Sequence, residues 1–167
     1  MSKAIIICHH PINNKFVNKL LGSIETEKYK IIICENGKER PNNSFELGAI
    51  QYGKDNFDEF ILLQDTCIIK DDSLFDELFK IKGHVFLTHG GYHYMGKFIS
   101  EDLPEIPKIS SKQESIHWEL RWLHGKPWTN FEPDLPVHTS VFEDILGQNR
   151  MKLENKYIIK YKGTYSI

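Results

Sequence analysis

The sequence predicts an α/β fold in which a mostly parallel, Rossmann-like sheet is flanked by helices. Short β-branched runs recur at Ala4–Cys8, Tyr29–Cys34 and Phe60–Leu63, and segments with helical spacing of apolar residues separate them. Strands that alternate with helices pair in parallel through right-handed crossovers, because a hairpin turn cannot join parallel neighbours. The length of 167 residues is that of one domain, long enough to bury a real core and too short for two.

The elements follow in order. AIIIC (Ala4–Cys8) reads as a strand covered on both faces, and NKFVNKLL (Asn14–Leu21) as the helix after it. YKIIIC repeats the apolar run and stops near Glu35-Asn36-Gly37, where asparagine followed by glycine suits a turn. Asn43 is placed to cap the next helix, with Glu46 in the capping-box position and Leu47, Ile50 and Phe45 toward the core. FILL ends at the polar Gln64-Asp65-Thr66, after which Cys67-Ile68-Ile69 is extended again. Ser73 and Asp76 form a second capping-box pattern ahead of Leu74, Leu78 and Ile81, and Val85–Thr88 is a fourth strand. Beyond it five prolines mark a loop-rich half around a helix at Ser111–Leu123, itself opened by Ser111 and Glu114, and YIIKY (Tyr157–Tyr161) reads as a terminal strand. No internal repeat or linker divides the chain.

Composition excludes several classes. Hydrophobic residues at 40% and charged residues at 26% match a folded globular protein. A net charge of −2, from 21 basic and 23 acidic residues, supplies no positive field for a nucleic-acid backbone. The N-terminal apolar run is too short for a signal peptide or a membrane span, so a cytoplasmic protein is expected. Cys8, Cys34 and Cys67 are odd in number and widely spaced, as expected of buried thiols and not of a disulfide framework.

Ligands of open parallel sheets bind beyond the carboxyl ends of the strands, which would bring His9-His10, Glu35-Asn36 and Gln64-Asp65 to one edge. An acid there can hold a divalent cation through hard oxygen ligands, and the cation can neutralise a diphosphate. It can equally turn the backbone or cap a local amide. His84, His89 and His93 invite a zinc hypothesis, but loop sequence does not set where they point, and a dedicated zinc site is not expected.

Several of these pieces occur in the order seen in inverting GT-A glycosyltransferases of the broad family-2 type. AIIICHHPINN resembles their first strand and donor loop, YKIIICENGK their second strand ending in an acid and glycine, and FILLQDTCIIKDDSLFDEL their D-x-D strand and following helix. The resemblance covers roughly the first half of the chain. The positions matching D-x-D read Leu63-Gln64-Asp65, so the first acid is absent and the last is present. It implies a single GT-A-like domain over 1–167, with a nucleotide-sugar-binding half (1–100) and an acceptor- and metal-closing half (101–167).

The activity so implied is transfer of a sugar from a nucleotide-sugar, expected to be UDP-linked, to a hydroxyl acceptor. Mn²⁺ or Mg²⁺ would be held by Asp65 and a late histidine, His138. His9, His10, Glu35, Asn36, Gln64 and Arg121 would contact the donor. Within HWELRWL, Glu119 would take the acceptor's proton, with Glu114 and Asp134 as competitors for that role. Trp118, Trp122 and Trp128 are candidate acceptor walls, although aromatic residues at helical spacing more often belong to a core. Two alternatives stand beside this activity: a noncatalytic nucleotide-sugar-binding module of the same fold, and a nucleotidyltransferase that would release pyrophosphate.

Overall fold

A computed structural model describes residues 1–35, 38, 45–88, 95–106, 108, 111, 113–114, 129–135, 152–154 and 156–161; at 45, 86, 88, 129–135 and 152–154 only the backbone is described. The strands are β1 (Lys3–His9), β2 (Lys30–Glu35), β3 (Glu59–Gln64), β4 (Cys67–Ile69), β5 (Val85–Thr88), β6 (Gly96–Ile99), β7 (Thr129–Leu135), β8 (Lys152–Glu154) and β9 (Ile158–Tyr161). The α-helices are α1 (Asn14–Ser23), α2 (Phe45–Asn56) and α3 (Ser73–Lys80).

The main sheet is six-stranded, in the order β2-β1-β3-β6-β5-β7. The β1–β2, β1–β3 and β5–β7 pairs are parallel, and β6 runs against both its neighbours, β3 and β5. The predicted α/β class and mostly parallel sheet are therefore present.

The two-sided burial that makes strand sequences continuously apolar is visible residue by residue. Ile5, Ile7, Ile61 and Leu63 face one core cluster with Val17 and Leu20 of α1 and Leu74, Phe75, Leu78 and Phe79 of α3. Ile6, Cys8, Cys34, Phe60 and Leu62 face the other, against Leu47, Ala49 and Ile50 of α2. The period-two alternation thus places α1 and α3 on one face and α2 on the opposite face. All three cysteines are free thiols in these cores.

β4 leaves the main sheet and joins β9 and β8 in a second, three-stranded sheet. Cys67 pairs with Lys160 and Ile69 with Ile158, so the expected terminal strand closes over the turn at Asp65-Thr66. At the amino end of the main sheet, Ser2 forms a clasp. Its N–H and hydroxyl donate to Asp58 Oδ2 at 2.5 and 3.0 Å, and its carbonyl accepts from Asp58 and Glu59 N–H at 3.1 Å each.

Three local expectations require correction or completion. Ser73 does not cap α3: Asp72 occupies the N-cap position without a side-chain cap, and Asp71 Oδ1 accepts the Ser73 N–H at 2.9 Å. Asp76 reaches outward to Lys28 Nζ at 2.6 Å and Tyr29 OH at 2.5 Å, because a cation and a phenol offer a carboxylate stronger bonds than a distant cap amide. β6 is not among the strands expected from sequence. It is antiparallel because the short stretch 89–95 between β5 and β6 is below the length of a parallel crossover. At the start of the expected late helix the Glu114 N–H does donate to Ser111 Oγ at 3.1 Å. Asn43 and the rest of that helix lie outside the described residues.

Candidate functional site

The carboxyl ends of β1, β2 and β3 meet in register, with His9 opposite Glu35, and Cys8 opposite both Cys34 and Gln64. The edge expected to gather His9-His10, Glu35 and Gln64-Asp65 is therefore assembled. Immediately after β1 the chain turns through the 3₁₀ segment Pro11–Asn13 into α1. Proline suits the first position of such a turn, where its missing N–H has no partner to lose.

Asp65 organises this edge. It is 1% exposed, and its backbone N–H donates to Cys8 O at 3.1 Å. Oδ2 accepts from His9 Nδ1 at 2.8 Å and from the His10 N–H at 2.9 Å, and Oδ1 accepts from Asn13 Nδ2 at 3.2 Å. An ionised carboxylate only accepts, so His9 carries its proton on Nδ1. His9 Nε2 is then an acceptor and meets the Asn14 side-chain amide at 2.9 Å, where the amide NH₂ is the group that can donate to it, linking the buried acid to an exposed asparagine. Burial pushes the Asp65 carboxyl above the ordinary carboxylate range, against the opposing pull of the His10 N–H, His9 and the charge of Lys160.

The other strand ends are also engaged. Gln64 Nε2 donates to Glu46 Oε1 at 2.7 Å, so the acid in the first turn of α2 is tied to the end of β3. That bond sets the Gln64 amide, whose Oε1 is buried without a hydrogen-bond partner, as is Asn13 Oδ1. Glu35 pairs with Lys38 at 3.0 Å. His10 Nδ1 accepts from the Ile12 N–H at 3.2 Å, which fixes its ring over the turn.

Lys160 comes to this edge from the second sheet. It is 2% exposed, and its ammonium donates to Thr66 Oγ1 and to its neighbour's carbonyl, Tyr161 O, each at 2.5 Å. Burial pulls its pKa down, while Cys67, Asp65 and Glu46 push it up. The Cys67 thiol is itself pushed up to about 12 by burial, so it is uncharged at neutral pH.

A divalent cation at Asp65 would need oxygen lone pairs turned toward it. Both Asp65 oxygens already accept protein donors, Glu46 is held by Gln64, and the Lys160 ammonium is bonded to the side chain of the next residue, Thr66. The described residues at Asp65 do not fit such an ion. Among the described residues no group of three His, Cys, Asp or Glu is placed to hold a metal. His138, the expected second ligand, lies outside them.

The remaining candidates divide in the same way. Asn36, Glu119, Arg121, His89, His93, Trp118, Trp122 and Trp128 lie outside the described residues. Asp134 is next to last in β7, whose Leu135 pairs with Thr88, so its backbone reaches the carboxyl-end edge three strands from β3. His84 precedes β5, at the other end of that strand, where its Nδ1 accepts the Ile99 N–H at 3.2 Å and burial lowers its pKa. A cleft of about 430 Å³ lined by Met1, Asp58, Glu59, Ile99, Ser100 and Glu101 lies at that opposite edge.

Sequence reasoning missed Asn13, Asn14, Thr66 and Lys160, and saw in Glu46 only a cap. A signal for Lys160 was present in YIIKY, where alternation puts position 160 on the same buried face as Ile158. Among the described residues no helix is long and apolar enough to cross a membrane. No family model matches the chain, and no curated protein matches it.

Proposed function

We propose that the chain binds a nucleotide-sugar, uridine-linked, at the carboxyl-end edge of β1, β2 and β3 and transfers its sugar to a hydroxyl acceptor. The observation that supports this reading is the in-register meeting of His9 with Glu35 beside Gln64-Asp65, followed by a turn that Asp65 locks in place. Parallel sheets use that edge for ligands. In this reading Glu35 accepts donor groups of the base, and the His10–Asn13 turn lines the diphosphate. Asp65 holds that turn and the His9 ring; it is a positioning residue. Glu119 is the base that removes the acceptor's proton as its oxygen attacks the anomeric carbon in line, and Arg121 neutralises the leaving phosphate. The Mn²⁺ or Mg²⁺ implied by the family resemblance finds no support in the contacts of Asp65.

A second reading, a nucleotide-sugar-binding module without catalysis, is favoured by the same contacts, since an acid engaged by three donors is placed for structure. Calorimetric titration of the chain with a panel of UDP-sugars, followed by a screen for released UDP, tests both. Binding with UDP release that Glu119→Gln abolishes supports transfer. Binding without release under any donor and acceptor tried leaves the module, and absence of binding to every nucleotide-sugar defeats both.

A further inference from the structure

Cys8 closes the apolar run of β1 and Cys34 that of β2, and the two are direct partners in the parallel register of these strands. Both side chains lie on the same face of the sheet, in the cluster that packs against Leu47, Ala49 and Ile50 of α2. Neighbouring strands lie about 4.8 Å apart, inside the span of about 4.4–6.8 Å between the Cα atoms of a disulfide. A bridge also needs its Cβ atoms about 3.5–4.5 Å apart, so β2 has to lean slightly toward β1. An outermost strand can do this, and among the described residues β2 is outermost and pairs with β1 alone. The two sulfurs differ in access, with Cys8 8% exposed and Cys34 0%. Cys67 is a contrast within the same chain: it is 0% exposed, sits in the opposite cluster, and has its Sγ 3.4 Å from Met95 Sδ.

We propose that Cys8 and Cys34 form a reversible redox site, a dithiol that hydrogen peroxide converts to a disulfide across the ends of β1 and β2. The Cys8 sulfur attacks one peroxide oxygen and the O–O bond breaks. Cys8 becomes a sulfenic acid, and the other oxygen leaves as water with the thiol's proton. The Cys34 sulfur then attacks the Cys8 sulfur: the S–S bond forms, the S–O bond breaks, and the hydroxyl leaves as a second water with the Cys34 proton. Two thiols have lost two electrons and one peroxide has gained them. A dithiol reductant reverses the change by thiol–disulfide exchange. Cys8 is the attacking sulfur because it has the solvent exposure that oxidation requires. Apolar surroundings disfavour a thiolate, so local opening of the edge strand sets the rate. The next residues, His9 and Glu35, are register partners at the carboxyl-end edge, so the bridge fastens β2 and its Glu35 to the strand that carries His9. That consequence does not depend on which ligand the edge binds.

The full chain is treated under native conditions with a graded series of hydrogen peroxide, then unfolded in acid and alkylated. The expected product has lost two of its three thiols and the mass of two hydrogens, and peptide mapping joins Cys8 to Cys34 with Cys67 still reduced. Dithiothreitol should restore all three thiols. Cys34→Ser should stop at a Cys8 sulfenic acid that dimedone traps, and Cys8→Ser should leave Cys34 reduced. The mapping is done on wild type, so it decides even where a variant fails to fold. A native chain that keeps three thiols in excess peroxide, a bridge that forms only after unfolding, a link through Cys67, or irreversible oxidation to sulfinic acid overturns the site.

Amide hydrogen exchange of the reduced and oxidised chains reads the effect on the edge. Oxidation should slow exchange over Lys30–Glu35 by at least about tenfold, because a strand bridged to its neighbour can no longer open alone. Bridged protein whose β2 exchanges as fast as before overturns the fastening of the edge and leaves the nucleotide-sugar reading untouched.

Discussion

At Asp65 three donors converge on one side chain, and a carboxamide in its place would meet them badly: the NH₂ would face either the His10 N–H and His9 or Asn13 Nδ2. Asp65→Asn should therefore lose about 1.5–3 kcal/mol, the range for hydrogen bonds to a charged group, measured by urea unfolding. The loss should appear as altered amide resonances over residues 9–14; an unchanged urea midpoint would contradict the hub role. Tyr29 makes a pH prediction. Its phenol is raised from 10.0 to about 12 by burial, helped by Asp76, so between those values the unfolded chain loses a proton that the folded chain keeps. The stability it contributes is complete below pH 10 and lost as pH rises toward 12. Tyr29→Phe should remove that component, so the stability gap between wild type and variant narrows across this window in denaturant titrations. Asp65 was legible in the sequence because a polar residue ending an apolar run marks a strand end. Lys160 and Glu46 were not, since each acts across elements far apart in the chain, and pairing of β9 with β4 is a tertiary fact.

Between elements, the α2–β3 contact sets a limit on side-chain size. Gly53 lies in α2 with the Phe60 ring tip packed where its Cβ would be, 2.6 Å from three ring carbons. In an exposed helix Gly→Ala gains about 0.5–1 kcal/mol, but overpacking a core costs about 1–3 kcal/mol, and here overpacking should win. Gly53→Ala is expected to lower the thermal midpoint, and Phe60→Leu in the same chain to recover part of the loss. Additive effects of the two changes would show that the contact does not carry the cost. The elements that sequence revealed, β1, β2, β3, α1 and α3, have unbroken apolar runs or clear helical spacing. β6 was missed because its GKFI opens on glycine and buries Lys97, whose ammonium reaches the Ile81 carbonyl, so its apolar signal is diluted. The cap of α3 was misread because the spacing Ser-x-x-Asp does not register a competing lysine and tyrosine at positions 28 and 29.

For the molecule as a whole, the late strand β9 is stitched into the early core: Ile158 and Tyr157 belong to the same cluster as Ile5, Ile61 and Leu74. Ile158→Ala should cost about 2–5 kcal/mol, as for other large-to-small core changes, and should shift one cooperative transition seen alike by tryptophan fluorescence and far-ultraviolet circular dichroism. Two separated transitions would show that the second sheet folds apart from the first. The Ser2–Asp58 clasp has a practical bearing on how these measurements are made. Met1 is 87% exposed and the residue after it is tied to the start of β3, so a linker joined at Met1 emerges from the amino-end edge with little slack. Immobilised through that point on a sensor surface, the protein would present its carboxyl-end edge to the flowing solution in a uniform orientation.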